Sequence, residues 1–197
     1  MSIFQLADKK YIKNTEWVKE HSNGIESIHT CDRDDFQFLE DVLQNKRIVW
    51  LGENGHGVAE HSLLKSKLID FLYHKMGFKV IAFESGLSEC YSSNDLKDEL
   101  SVAELMDKSI FSLWKTEETH SLFELIKKNE DLKLIGFDFQ PSVKQSLFAA
   151  FLDKINVEFP SEFLQNTKKL EERASFWYQR IGSYKARRKN FLKIKRN

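Results

Sequence analysis

Cysteine is scarce in this chain: 197 residues include two, Cys31 and Cys90, far apart and without metal-ligand spacing. That excludes a small scaffold built on disulfides and a cysteine-rich zinc module. With two prolines and eight glycines, the chain has no low-complexity block and no internal repeat is visible. No run approaches the roughly 18 apolar residues of a membrane span, and the N-terminus lacks a basic-then-apolar signal pattern. The expectation is a soluble, reduced, cytoplasmic protein with no membrane partner. Three catalytic or binding signatures are also missing. No glycine turn ends in Gly-Lys-Ser or Gly-Lys-Thr, none has the dinucleotide spacing, and there is no Gly-x-Ser-x-Gly elbow, so P-loop, Rossmann and serine-hydrolase chemistry have no motif to stand on.

The length suits one α/β domain able to bury a core without covalent staples. Acids and bases balance at 30 each, but unevenly: residues 180–197 carry eight Lys or Arg and no acid. The chain divides into a domain over 1–179 and a basic tail over 180–197. A basic tail alone carries no recognition motif, so no specific nucleic-acid partner is expected.

The pattern of strands sets the architecture. Arg47–Leu51, Lys79–Phe83 and Leu132–Phe137 are β-rich runs, and each leads to a carboxylate, at Glu53, Glu84 and Asp138. Helical periodicity separates them. Leu64, Leu68, Phe71, Leu72 and Met76 recur at helical spacing over Val58–Met76, closed by Gly77. Leu122, Phe123, Leu125 and Ile126 do the same over Thr116–Lys128. Further helices are expected over Thr15–Ser22, Asp34–Asn45, Ser146–Val157 and Ser161–Arg173. The polar stretch Gly86–Leu100 reads as a loop or short helix. Alternating strands and helices predict a largely parallel sheet flanked by helices, with the strand ends on one edge and a mainly helical C-terminal segment.

That edge gathers the chemistry. Gly52-Glu53-Asn54-Gly55-His56-Gly57 turns on glycines and presents a histidine where a helix begins. His56 is the candidate general base, with a side chain whose ordinary pKa lies near neutrality. Glu53 and Glu84 can orient it, take a substrate proton, or act as a general acid if burial raises one of them; the plainer alternative is that they cap helices or pair with bases. Asp138 joins the same crevice or caps its own turn. Glu60 lies one helical turn beyond His56. A metal set of His56, Glu60 and His61 fails on spacing, since His56 and His61 diverge by about 140° on an ideal helix. No metal and no cofactor are expected.

Several of these motifs together resemble the erythromycin esterase family: Leu51–Gly57 with Glu60, Gly77-Phe78 with Ala82-Phe83-Glu84, Trp114-Lys115-Thr116-Glu117-Glu118, and Gly136-Phe137-Asp138-Phe139-Gln140. Their order and spacing agree over roughly residues 15–141. The resemblance implies an erythromycin esterase-like α/β fold outside the serine-esterase class. It implies attack of a His56-activated water on an ester, without metal. Glu53 and Glu84 would be the supporting acids, while Lys65, Glu60 and Asp138 would contact substrate, a small-molecule ester or macrolide lactone, with a link to antibiotic resistance. Family members commonly carry arginine at the place of Lys65. They are longer and supply another histidine from their C-terminal half, whereas no histidine here follows His120. The domain is therefore expected to be partial and to self-associate through exposed apolar surface. The alternative function is a catalytically incomplete fragment or pseudoenzyme.

Overall fold

Local sequence rules are plainest at the helix over Glu117–Lys128. Thr116 precedes it in extended backbone, and its hydroxyl accepts the Thr119 N–H. Glu117 and Glu118 occupy the positive first turn and Lys127 and Lys128 the negative last one. Leu122, Phe123 and Ile126 fall on one face and are buried. The helix over Val102–Ser109 starts on a capping box in which the side chains of Ser101 and Glu104 each accept the other's backbone N–H.

The computed structural model describes residues 14–143, 146–156, 158–170, 172, 173 and 176. The basic tail 180–197, Val157 and position 171 lie outside them. In chain order, α1 covers 14–20. A 3-10 helix, Asp34–Leu39, runs into the short α2 (Glu40–Leu43), followed by α3 (Ala59–His74). Next come β1 (Val80–Gly86), α4 (Leu87–Asp95), α5 (Val102–Ser109), α6 (Glu117–Lys128), β2 (Lys133–Asp138) and α7 (Phe148–Lys154). Residues 161–170 form α8. Two further 3-10 turns, Lys97–Glu99 and Ser112–Trp114, link α4 to α5 and α5 to α6. No helix among the described residues is long and apolar enough to cross a membrane.

The chain is α/β, and its described sheet has two parallel strands, with Ile81 opposite Leu134 and Phe83 opposite Gly136. One face, carrying Ile81, Ser85, Leu134 and Gly136, is covered, whereas Val80, Ala82, Glu84, Lys133 and Phe137 on the other are exposed. Between Phe83 and Gly86, β1 holds one more residue than β2 does between their partners, Gly136 and Asp138. The bulged backbone presses on β2. A Cβ at Gly136 would sit 2.3 Å from the Gly86 carbonyl oxygen and 2.4 Å from that of Ser85, so only glycine fits.

Two sequence expectations require correction. Arg47–Leu51 is not a strand: nothing among the described residues pairs with it, and Ile48 and Trp50 are 70% and 83% exposed. Only Val49 packs inward, against the cluster of Cys31, Phe36, Phe71 and Leu72. The β-α-β unit thus runs from β1 through α4, α5 and α6 to β2. The expected Asp34–Asn45 helix is divided into a 3-10 turn and four α-helical residues. Gly86–Leu100, read as a loop or short helix, takes the short-helix alternative over most of its length in α4, whose inner face buries Glu89, Cys90, Ser92 and Ser93. Ser92 Oγ bonds within the helix, to the Ser88 carbonyl, and the small side chains let a polar-looking stretch pack closely against β2.

Two cores meet across α3. Its outer side joins the Phe36–Phe71 cluster, while Ile69 and Tyr73 pack on the main cluster of Ile81, Leu105, Ile110, Leu122, Phe123, Ile126 and Leu134. At the α3/α6 contact Ser66 Oγ donates to the Glu118 carbonyl at 3.0 Å. A buried lysine closes the far end of α6. Lys97 Nζ lies 2.7 Å from the Asn129 carbonyl and within 3.4 Å of those of Ile126, Glu130 and Leu132. Its ammonium satisfies carbonyls that the helix end and following turn leave open. Burial pushes its pKa below the ordinary lysine value, and Lys133 adds to the push. Lys97→Met fills the space but strands those carbonyls, so it should lower unfolding free energy by about 2–3 kcal/mol. Urea denaturation of both proteins measures this; equal midpoints and slopes would contradict the assignment.

Candidate active site

The glycine turn after Leu51 needs one left-handed residue to reach α3, and Gly57, at φ +76°, supplies it. Val58 then enters α3 in extended backbone. This places His56 just before the helix and Lys65 further along it. Glu53 accepts from both: Oε1 is 2.8 Å from His56 Nδ1 and Oε2 is 2.6 Å from Lys65 Nζ. The Glu53 side chain is 8% exposed, against 60% for His56 and 25% for Lys65. The carboxylate is the inner member, and the imidazole faces solvent.

Burial would raise the Glu53 carboxyl, but hydrogen bonds from Lys65 and His56, with their charges, outweigh it and hold the group below the ordinary glutamate value. Glu53 is therefore ionised near neutrality. An ionised acceptor requires the proton on Nδ1 of His56, which leaves Nε2 to accept one. Nε2 has no hydrogen-bond partner among the described residues.

Trp114 forms the inner wall. Its ring meets His56 edge-on, with centroids 4.9 Å apart and planes at 86°. Lys65 Nζ lies 5.5 Å from a Trp114 ring centroid. The indole Nε1–H donates to the Glu84 main-chain carbonyl at 3.2 Å.

The six candidate residues are not all assembled. Glu53, His56 and Lys65 form one bonded unit. Glu84 lies inside β1 rather than after it, on the exposed sheet face, and reaches the unit through its backbone and Trp114, with no side-chain bond to His56. Asp138 Oδ1 accepts the Gln140 N–H at 2.8 Å, the turn-capping alternative. Glu60 is exposed in the first turn of α3 and makes no hydrogen bond or ion pair among the described residues. His61, weighed above as a metal ligand, has a buried Nδ1 without a hydrogen-bond partner among the described residues. Among the described residues no group of three or more His, Cys, Asp or Glu could hold a metal ion.

Two residues were absent from the candidate set. Trp114 stands in one of the quoted motifs, three residues before the first turn of α6, and a tryptophan at a helix entry was the available signal. Ser85 is fully buried, and its Oγ accepts the Phe111 N–H at 3.1 Å; a serine beside Glu84 in a strand gives no sequence signal. A groove lies elsewhere, between the loop around Arg33, α3 and α6, lined by Arg33, Lys67, Asp70, His74 and Lys128 among others. Arg33 and His74 each pair with Asp70 there, and Lys67 donates to the Cys31 carbonyl. That groove is a braced seam and contains none of the six candidates.

The family model for erythromycin esterase matches residues 73–194. The match begins near the end of α3, so Glu84, Trp114 and Asp138 fall inside it while the Glu53–His56–Lys65 unit precedes it. The protein named "Putative hydrolase YbfO" of Bacillus subtilis (strain 168) is 36% identical over 138 residues, 68% of this chain and 30% of that protein. Erythromycin esterase type II of Escherichia coli is 39% identical over 75 residues, 38% of this chain and 18% of its own length. Erythromycin esterase type I of Escherichia coli is 32% identical over 113 residues, 54% of this chain and 27% of its own. The chain thus spans less than a third of each of these relatives. No solved structure matches.

Glu53→Gln replaces an ionised acceptor with a neutral amide, and should destabilise the protein at neutral pH by about 1–2 kcal/mol. Because the folded carboxyl titrates below the unfolded value of about 4.3, its contribution is complete above that value and is lost as pH falls through the folded one. Chemical denaturation at several pH values should show the wild-type advantage at pH 6–7 and its disappearance in acid. An advantage that grows on acidification would contradict the assignment.

Proposed function

Because the chain belongs to the erythromycin esterase family, we propose that it is a hydrolase in which His56 activates water for attack on an ester or lactone. The observation that carries this reading is the double acceptance at Glu53, 2.8 Å from His56 Nδ1 and 2.6 Å from Lys65 Nζ. It directs basicity to Nε2 and keeps a cation beside the base.

In the proposed reaction, Nε2 takes a proton from water as the oxygen adds to the ester carbonyl. The tetrahedral oxyanion forms near the Lys65 ammonium, which offers charge without arginine's two-pronged geometry. Collapse breaks the bond to the alcohol oxygen, and the imidazolium returns its proton to that oxygen, giving acid and alcohol. Glu53 stabilises the imidazolium in between. Glu84 is a supporting acid on the exposed sheet face, and Glu60 and Asp138 remain substrate-side candidates. The substrate reading, an ester that includes macrolide lactones, draws on the names of the two Escherichia coli relatives, and a role in antibiotic resistance follows from it.

The test is incubation of the full chain with a macrolide lactone and with p-nitrophenyl butyrate, reading a mass gain of one water and release of nitrophenol. Wild type should turn over at least one, and His56→Ala should lose about 100-fold or more. Equal rates for the two proteins, or no hydrolysis by folded wild type, would overturn the reading.

A further inference from the structure

We propose that Trp114 is a positioning residue of this site: its ring holds His56 and Lys65 in place while its indole N–H ties the same turn to the main chain of Glu84. The inference rests on the hydrolase reading for its kinetic consequence but not for its geometry.

Trp114 is 9% exposed and belongs to the main apolar cluster with Ile81, Ile110 and Phe123, but its ring also meets two polar groups that core filling alone does not call for. His56 stands at 4.9 Å on its ring and the Lys65 ammonium at 5.5 Å. Phe83 adds an aromatic contact, at 6.1 Å between ring centroids. The N–H is spent on Glu84, 3.2 Å away. An aliphatic residue could fill this volume, but it would neither attract an ammonium nor bond the strand.

The turn that carries Trp114 is fastened to its neighbours. Phe111 N–H donates to Ser85 Oγ at 3.1 Å, and Lys115 Nζ donates to the Asp107 carbonyl and carboxylate at 2.7 and 2.8 Å. These bonds join Ser112–Trp114 to the bulged end of β1 and to α5. His56, by contrast, lies in a glycine turn, and Glu53 constrains it through one atom. One hydrogen bond leaves the ring free to pivot about that contact; an aromatic wall at right angles to it removes the pivot. The charged groups on the surrounding elements are Glu53 in the turn, Glu60 and Lys65 on α3, Glu84 on β1 and Lys115 after the Ser112–Trp114 turn. Of these, Glu53 bonds His56 directly.

The experiment compares wild type, Trp114→Phe and Trp114→Met as full chains, by histidine 15N spectra of the neutral imidazole and by ester kinetics. In wild type and Trp114→Phe, His56 should hold the proton on Nδ1. In Trp114→Met the population should move toward the Nε2–H form, with kcat down about 10-fold or more and KM changed less than about two-fold. A folded Trp114→Met with the wild-type tautomer overturns the proposal. If that variant does not fold, Trp114→Phe decides: loss of the Nδ1–H form there overturns it, and retention supports it. If wild type hydrolyses no ester, the hydrolase reading fails separately, and the tautomer comparison alone judges Trp114.

Discussion

The Glu53 carboxylate accepts hydrogen bonds from two donors and so binds them to one place. His56 comes from a glycine turn and Lys65 from the helix that follows, and the two oxygens of Glu53, 2.8 and 2.6 Å away, hold them. A carboxylate 8% exposed must be paired to remain charged, and here both partners are the groups a hydrolytic site uses. Ionised Glu53 sets the tautomer of His56, and the paired Lys65 keeps positive charge within reach of the imidazole. Packing around the turn serves that arrangement.

The scaffold fixes the two sides by different means. Lys65 rides on α3, gripped between two apolar clusters and held against α6 by Ser66. Glu84 rides on β1, whose bulge is accommodated by Gly136 and whose end is bonded to the segment before α6 through Ser85 and Trp114. α6 enters both systems, since Glu118 lies at its start and Trp114 just ahead of it. It is closed at its far end by the carbonyl-bound ammonium of Lys97. The turn holding His56 has no comparable frame of its own, and Glu53 and Trp114 supply one.

Much of this was legible in the chain. The periodic helices α3 and α6 and the strands around Ile81 and Leu134 appear where their apolar spacing put them, because each buries the face that the spacing defines. Grouping Glu53 with His56 followed from their place in one short turn. Arg47–Leu51 misled because β propensity reports a side-chain pattern, whereas a strand requires a partner edge, and none meets Ile48 or Trp50 among the described residues. In α4 the short helix was legible and its burial was not: Ser92, Ser93 and Glu89 look like a solvated stretch until the neighbours that cover them are known. Glu84 and Asp138 shared a pattern with Glu53 but not its contacts, since β1 continues past the first and the second is spent on the Gln140 N–H. Trp114 was visible as a motif residue, but its role depends on bonds across the fold that linear spacing does not encode.

The account is tested most directly by 13C NMR titration of the Glu53 carboxyl in wild type and in Lys65→Met. It predicts a wild-type titration below the ordinary glutamate value of about 4.3, the direction set by Lys65 and His56 against burial. The value should rise in Lys65→Met, where burial acts against one fewer donor. A wild-type carboxyl at or above the ordinary value, unmoved by the loss of Lys65, would contradict the claim that this carboxylate assembles the site.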